Sequence, residues 1–182
     1  MDSTDGSMYV YYTDPGGGAS SWIGAVSRSG GILQVVSTTK TDTFSSTSTS
    51  FADVTGLSAS ITPRSTSSKI LVMASIGYSD SSDTYASQFT LARGGVNLSN
   101  PTSPGSRTPV FFTKKSMSTQ ELLNGHVSFL DSPSSTSSLT YNVRVKSENA
   151  GNTIYVNRDR ADTDSTAVGR GVSTITLIEV AG

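Results

Sequence analysis

Cysteine is absent from the 182 residues, which rules out disulfides and thiolate metal sites. Histidine and tryptophan occur once each, as His126 and Trp22. Net charge is nearly absent too: 13 basic against 14 acidic residues leave −1, with no field to draw in a polyanion. Nucleic acid is therefore not an expected partner, because phosphate binding needs clustered Lys and Arg. No apolar run approaches the length of a membrane span, and "MDSTDGSMYVYY" has neither the basic start nor the apolar stretch of a signal peptide. The expectation is a protein made without a classical export signal and not inserted in a membrane. Strong helix formers are scarce as well, and only Lys114 to Leu123, "KKSMSTQELL", is helix-permissive.

What the chain has instead is hydroxyl: Ser and Thr together make up about a third of it, and glycine adds 17 residues. Such a composition leans toward disorder unless spacing overrides it. Spacing does override it at Leu57, Ala59 and Ile61, which alternate with Ser58, Ser60 and Thr62. A period of two marks a strand with one dry face and one hydroxylated face. Pro63 ends that strand, "RSTSS" turns the chain, and Lys69 to Ile76 forms a second, more apolar run. The hydroxyls thus read as the wet face of a sheet.

The same reading predicts strands at Ile32–Thr39, Thr43–Val54, Leu57–Thr62, Lys69–Tyr78, Ser87–Arg93, Thr108–Thr113, Asn124–Leu130, Leu139–Lys146, Thr153–Asn157 and Thr174–Val180. Turn clusters such as "NPTSPGS", "DSPSS" and "ENAGN" separate them. Short strands punctuated in this way predict an all-β, β-sandwich or jelly-roll-like domain over residues 32–182. The last strand is apolar on both parities and should be central or covered by a partner. Residues 1–31 form a separate N-terminal β-hairpin, with Tyr9–Tyr12 against Ser21–Val26 across "TDPGGGAS". A lone hairpin is marginal in water. Tyr9, Tyr11, Tyr12 and Trp22 therefore need a surface, on the same domain or in an assembly interface.

Catalysis finds little to build on. His126 sits in the strand-like "LNGHVSFL", and serine is too abundant for its co-occurrence to signal a triad. Asp53, Glu121, Asp131, Glu148 and Glu179 form no motif that pairs two carboxylates for glycoside cleavage. Glu179, alone among hydrophobes, reads as a salt bridge or an intersubunit contact. Asp80 with Asp83, and Asp159 with Asp162 and Asp164, offer hard oxygen ligands, but Arg158 and Arg160 interleave the second group. No metal and no cofactor is expected. Sugar binding would use an aromatic face with polar groups beside it. The candidates are Tyr78, Asp80, Asp83 and Tyr85 in "GYSDSSDTYAS", with Arg107.

Residues 32–80, from "ILQVVSTTKTDTFSSTSTSFADV" to "ILVMASIGYSD", resemble the β-sandwich module of tailed-bacteriophage virion structural proteins. The likeness is to the tail-fibre and fibre-tip type of cyanophages and other marine phages. "DRADTDSTAVGRGVSTITLIEVAG" is similar to that module's C-terminus, and "TDGSMYVYYTDPGGGASSWIGAV" to the hairpin that precedes it. The resemblance implies a non-enzymatic virion component that assembles as a homotrimer with other virion proteins and contacts host-surface polysaccharide. A capsid cement protein and a free-standing carbohydrate-binding module are the alternatives.

Overall fold

A computed structural model of the chain describes residues 31–99, 101–102, 105–115 and 121–182, and the backbone of residues 9–12 and 21–24. Among the described residues every regular element is a strand. The first two, β1 (Tyr9–Tyr12) and β2 (Ser21–Gly24), pair antiparallel with Tyr11 opposite Trp22. Their connecting loop lies outside the described residues, as does the centre of the helix-permissive window.

The main body is a two-sheet antiparallel sandwich, the all-β architecture that the alternation predicts. One sheet contains β3 (Ile32–Lys40), β4 (Phe44–Ser46), β6 (Lys69–Asp80), β10 (Leu123–Asp131), β12 (Ile154–Val156) and β13 (Ser173–Val180). The other contains β5 (Ala52–Ile61), β7 (Ala86–Arg93), β8 (Val96–Asn97), β9 (Phe112–Lys115) and β11 (Leu139–Ser147). β13 lies between β3 and β6, the central place expected of a strand apolar on both parities. β6, the longest strand, pairs with β13 over Lys69–Ser75, with β12 over Tyr78–Asp80 and with β10 over Ile70–Tyr78.

The core forms where the alternating apolar residues of the two sheets meet. Leu57, Ala59 and Ile61 of β5 are buried, while Ser60 and Thr62 are exposed. From the other sheet come Ile70, Val72, Ala74 and Ile76 of β6 with Ile175 and Leu177 of β13, and from β11 come Tyr141, Val143 and Val145. The wet hydroxyls bond across strands, as Ser60 Oγ does to Thr140 Oγ1 at 2.8 Å and Ser37 Oγ to Thr176 Oγ1 at 2.9 Å.

Two strand assignments need correction. The predicted Thr43–Val54 strand is two strands in different sheets, because the chain crosses between layers at Thr47–Phe51. The predicted Thr108–Thr113 strand begins only at Phe112, with Phe111 tied by its amide to the Phe89 carbonyl. β5 also carries an irregularity that alternation misses: Val54 to Leu57 stand opposite the single Val143, so both Val54 and Leu57 point inward. Gly56, at φ +81°, supplies the left-handed residue of that excursion.

Candidate functional site

Two surfaces of the sandwich are candidates. The first is the end where β6 hands over to β7. Ser82 Oγ accepts the amides of Thr84 and Tyr85 at 3.1 Å each, a serine-capped turn that shapes the 81–85 loop. The Ser81 amide bonds to the Thr153 carbonyl, and the Thr153 amide to Ser81 Oγ, so the loop is tied to the start of β12. Glu148 accepts the Ala86 amide at 2.8 Å. Arg160 reaches over from the long polar connection to Asp83 at 3.1 Å.

Of the sugar-binding candidates, this loop end keeps Asp83, which is exposed, and Tyr85, which is half-buried. Tyr78 and Asp80 are not loop residues: both lie in β6 and are buried. Tyr78 packs against Phe89 at 4.6 Å and Phe112 at 5.7 Å, and burial, with Asp80 nearby, pushes its phenol pKa up. Asp80 receives Lys114 Nζ at 2.8 Å and Ser87 Oγ at 2.8 Å. A carboxylate so enclosed and so paired is committed to the fold. Arg107 is exposed and lines a separate shallow groove of about 260 Å³ with Pro101, Thr102, Thr108 and Val110. Neither Asp83 nor Tyr85 belongs to that groove.

In the acidic cluster of the long connection, Asp162 is held by arginines of the same segment. Asp162 takes Arg158 at 3.2 Å and Arg170 at 2.6 Å, and Arg158 also lies 4.1 Å over the Tyr155 ring. Among the described residues no three acidic or histidine side chains gather as a metal site. Asn157, at φ +62°, anchors the connection: it donates to the carbonyls of Lys40 and Asp42 and accepts Ser173 Oγ at 2.6 Å.

The carboxylates considered for catalysis are dispersed. Asp53 pairs with Arg144 at 2.8 Å. Asp131 accepts Arg93 and the Tyr141 hydroxyl, and burial followed by the Asp131 charge raises the Tyr141 pKa. Glu179 is fully buried, and among the described residues it makes no salt bridge. It accepts Gln34 Nε2 at 2.5 Å and the Arg64 amide at 2.7 Å, capping the loop that follows β5. Burial would raise its pKa, but the polar groups around it, Ser68 and the hydrogen-bonded Gln34 and Arg64 amide, outweigh burial and hold it below the ordinary value. His126 is exposed on β10.

The second surface is the outer face of the larger sheet, which strand-by-strand reading does not reveal. Val35 of β3, Ile178 of β13, Leu71 of β6 and Leu130 of β10 fall into one register line across four strands. All four sit on the parity that faces away from the core. Val35 is 56% exposed and Leu130 50%, with Met73 at 45% and Ile32 at 66% beside them. Toward the other end the face turns polar, in a groove of about 460 Å³ that includes Ser75, His126, Ser128, Thr174 and Thr176. The available signal was the second apolar parity of β6 and β13, which only the register joins into a patch.

No protein-family model matches the chain, and no curated protein matches it. Among solved structures, it overlaps with T=1 particles derived from infectious bursal virus, at 10% identity and a TM-score of 0.42, over 96% of this chain and 45% of that one. The VP2 subviral particle of infectious bursal disease virus gives 11% identity and a TM-score of 0.40, over 96% and 46%. The chain thus spans less than half the length of these solved chains. The architecture described above rests on the chain's own strand pairing and not on these overlaps.

Proposed function

We propose that the protein is a non-enzymatic structural component of a virus particle, of the tailed-phage fibre or fibre-tip type, assembled as a homotrimer. The observation that carries this reading is where the resembling segments fall. Residues 32–80 and the closing 159–182 are far apart in the chain, yet they supply β3, β13 and β6, three adjacent strands of one sheet. Residues 32–80 also supply β4 at the edge of that sheet and β5 in the facing one, so the likeness follows neighbouring strands of both layers. The dispersal of the carboxylates into structural pairs is what a scaffold would show, and the exposed apolar row is a surface that an assembly would cover.

In this reading the 81–85 end, with Asp83 and Tyr85, faces host-surface polysaccharide. A cement protein of the phage head is the second reading, favoured by the same apolar row, since it needs only surfaces that clamp neighbours. The test is quantitative mass spectrometry of purified particles together with light scattering of the isolated protein. Low copy number and a trimeric mass support a fibre component, and high copy number a cement protein. A monomer absent from particles would overturn both and leave a free-standing binding module.

A further inference from the structure

The geometry points to an occupant for the exposed apolar row: the N-terminal hairpin, residues 9–24, of a second copy of this chain. This rests on the reading of the protein as an assembling virion component and names the contact by which copies join. None of the other described strands of the sandwich packs over the row, and Val35 and Leu130 are at least half exposed, so its cover has to come from elsewhere.

Size selects the kind of cover. Four strands at about 4.8 Å spacing make the face about 19 Å across, and its apolar part extends roughly 14 Å along the strands. That is on the order of 300 Å² in plan, well short of the about 800 Å² per partner of a standard interface between whole bodies. A two-stranded ribbon with four-residue strands is about 13 Å long and about 10 Å wide, so one hairpin matches the apolar part along the strands and covers about half of it across them.

Chemistry agrees. The outer parity of the row and its neighbours carries no carboxylate, and its charge is confined to Lys69 at the margin. The hairpin strands, "YVYY" and "SWIG", carry no charge. Aromatic anchors that dock in an apolar setting are the residues that dominate interface energetics. The chain also enters the sandwich beside the row. Ile32, the first residue of β3, is 66% exposed at its margin, and residues 25–31 span up to about 24 Å, enough to reach a neighbour. Each copy gives a hairpin and receives one at a different surface, a heterologous contact that closes in a ring such as a trimer.

Trp22 is the chain's only tryptophan, so its fluorescence reports the hairpin alone. The test follows emission and light-scattering mass together across a dilution series of the full-length protein. Expected is a solvent-like emission at low concentration that shifts to the blue as mass rises. Val35→Lys and Leu130→Lys, each at an exposed position, should raise the concentration needed for both changes about tenfold or more. Val96→Lys, at a still more exposed position but on β8 of the other sheet, should leave it unchanged. Emission already blue-shifted in a monomer would place the hairpin on its own chain and overturn the proposal. So would assembly that ignores both substitutions while Trp22 stays solvent-like. Presence in or absence from virions is read separately, so failure of this contact and failure of the virion role remain distinct.

Discussion

Gly125 offers a perturbation whose sign is informative. It lies in β10 opposite Ile76, on the parity that faces the core. A Cβ built there would collide with the Phe112 ring, reaching Cε2 at 2.7 Å and Cε1 at 3.0 Å and running into Cζ. Retreat is blocked, because Phe112 stacks on Phe89 at 4.5 Å with the planes 12° apart, and Phe89 is buried. Gly125→Ala therefore pushes the ring off its stack. Overpacking of this kind costs about 1–3 kcal/mol, and loss of an aromatic pair adds about 0.5–1.5 kcal/mol. A total near 2–3 kcal/mol lowers Tm by about 4–12 °C for a domain of this size. An unencumbered strand glycine would behave oppositely, gaining about 0.5–1 kcal/mol from alanine. The assay is thermal and urea unfolding of Gly125→Ala, Phe112→Ala and the double variant. With the ring removed, Gly125→Ala should become neutral or stabilising, a coupling of about 2 kcal/mol. A Gly125→Ala protein that melts at or above the wild type would refute the packing described here.

Lys114→Met should leave Asp80 buried with only Ser87 beside it and cost about 3–5 kcal/mol, measured by urea denaturation. Glu179 has a folded pKa below its ordinary value of 4.5, so its contribution is present above that pH and is lost as pH falls through the depressed value. Glu179→Gln should flatten the acid limb of the stability–pH curve below about pH 5 in chemical unfolding. Tyr141 works in the other direction: its pKa is raised, so its contribution is intact below the ordinary value of 10.0 and is lost as pH rises beyond it. Tyr141→Phe should make stability less sensitive to pH above that value. Asp83→Ala breaks a partly exposed ion pair and should cost under about 1 kcal/mol, yet in the fibre reading it should weaken the protein's competition with phage for host cells.

Several strands could be read closely from the sequence: Leu139 to Lys146, with its wet polar parity, and Thr174 to Val180, apolar on both parities, fall within observed strands, and the predicted Leu57–Thr62 overruns β5 by Thr62 alone. Where the reading slipped, long-range geometry had overruled local pattern. The hydroxyl-rich run from Thr43 to Val54 mixes strand-favouring Thr, Phe and Val with serines along its length, so nothing local singles out the crossing at Thr47–Phe51. For the candidate site, polar turn chemistry correctly placed Asp83 and Tyr85 on a loop. It misplaced Asp80, because β6 runs two residues past Tyr78, where the predicted strand ends. Ser79 and Asp80 remain in the sheet because Lys114, from a strand 34 positions away, neutralises the carboxylate.

By itself, then, the sequence determined the all-β class, most strand positions, the dry and wet faces of the regularly alternating strands, and a composition poor in histidine and free of cysteine. These follow from period-two alternation and composition, which are properties of neighbours in the chain. Only the tertiary structure decided which sheet each strand joins, which acids and bases meet, and that Val35, Ile178, Leu71 and Leu130 line up as one exposed row. The physical reason is that pairing register and burial are set by partners distant in sequence. A strand's own residues say which face is apolar, and the fold says what that face meets.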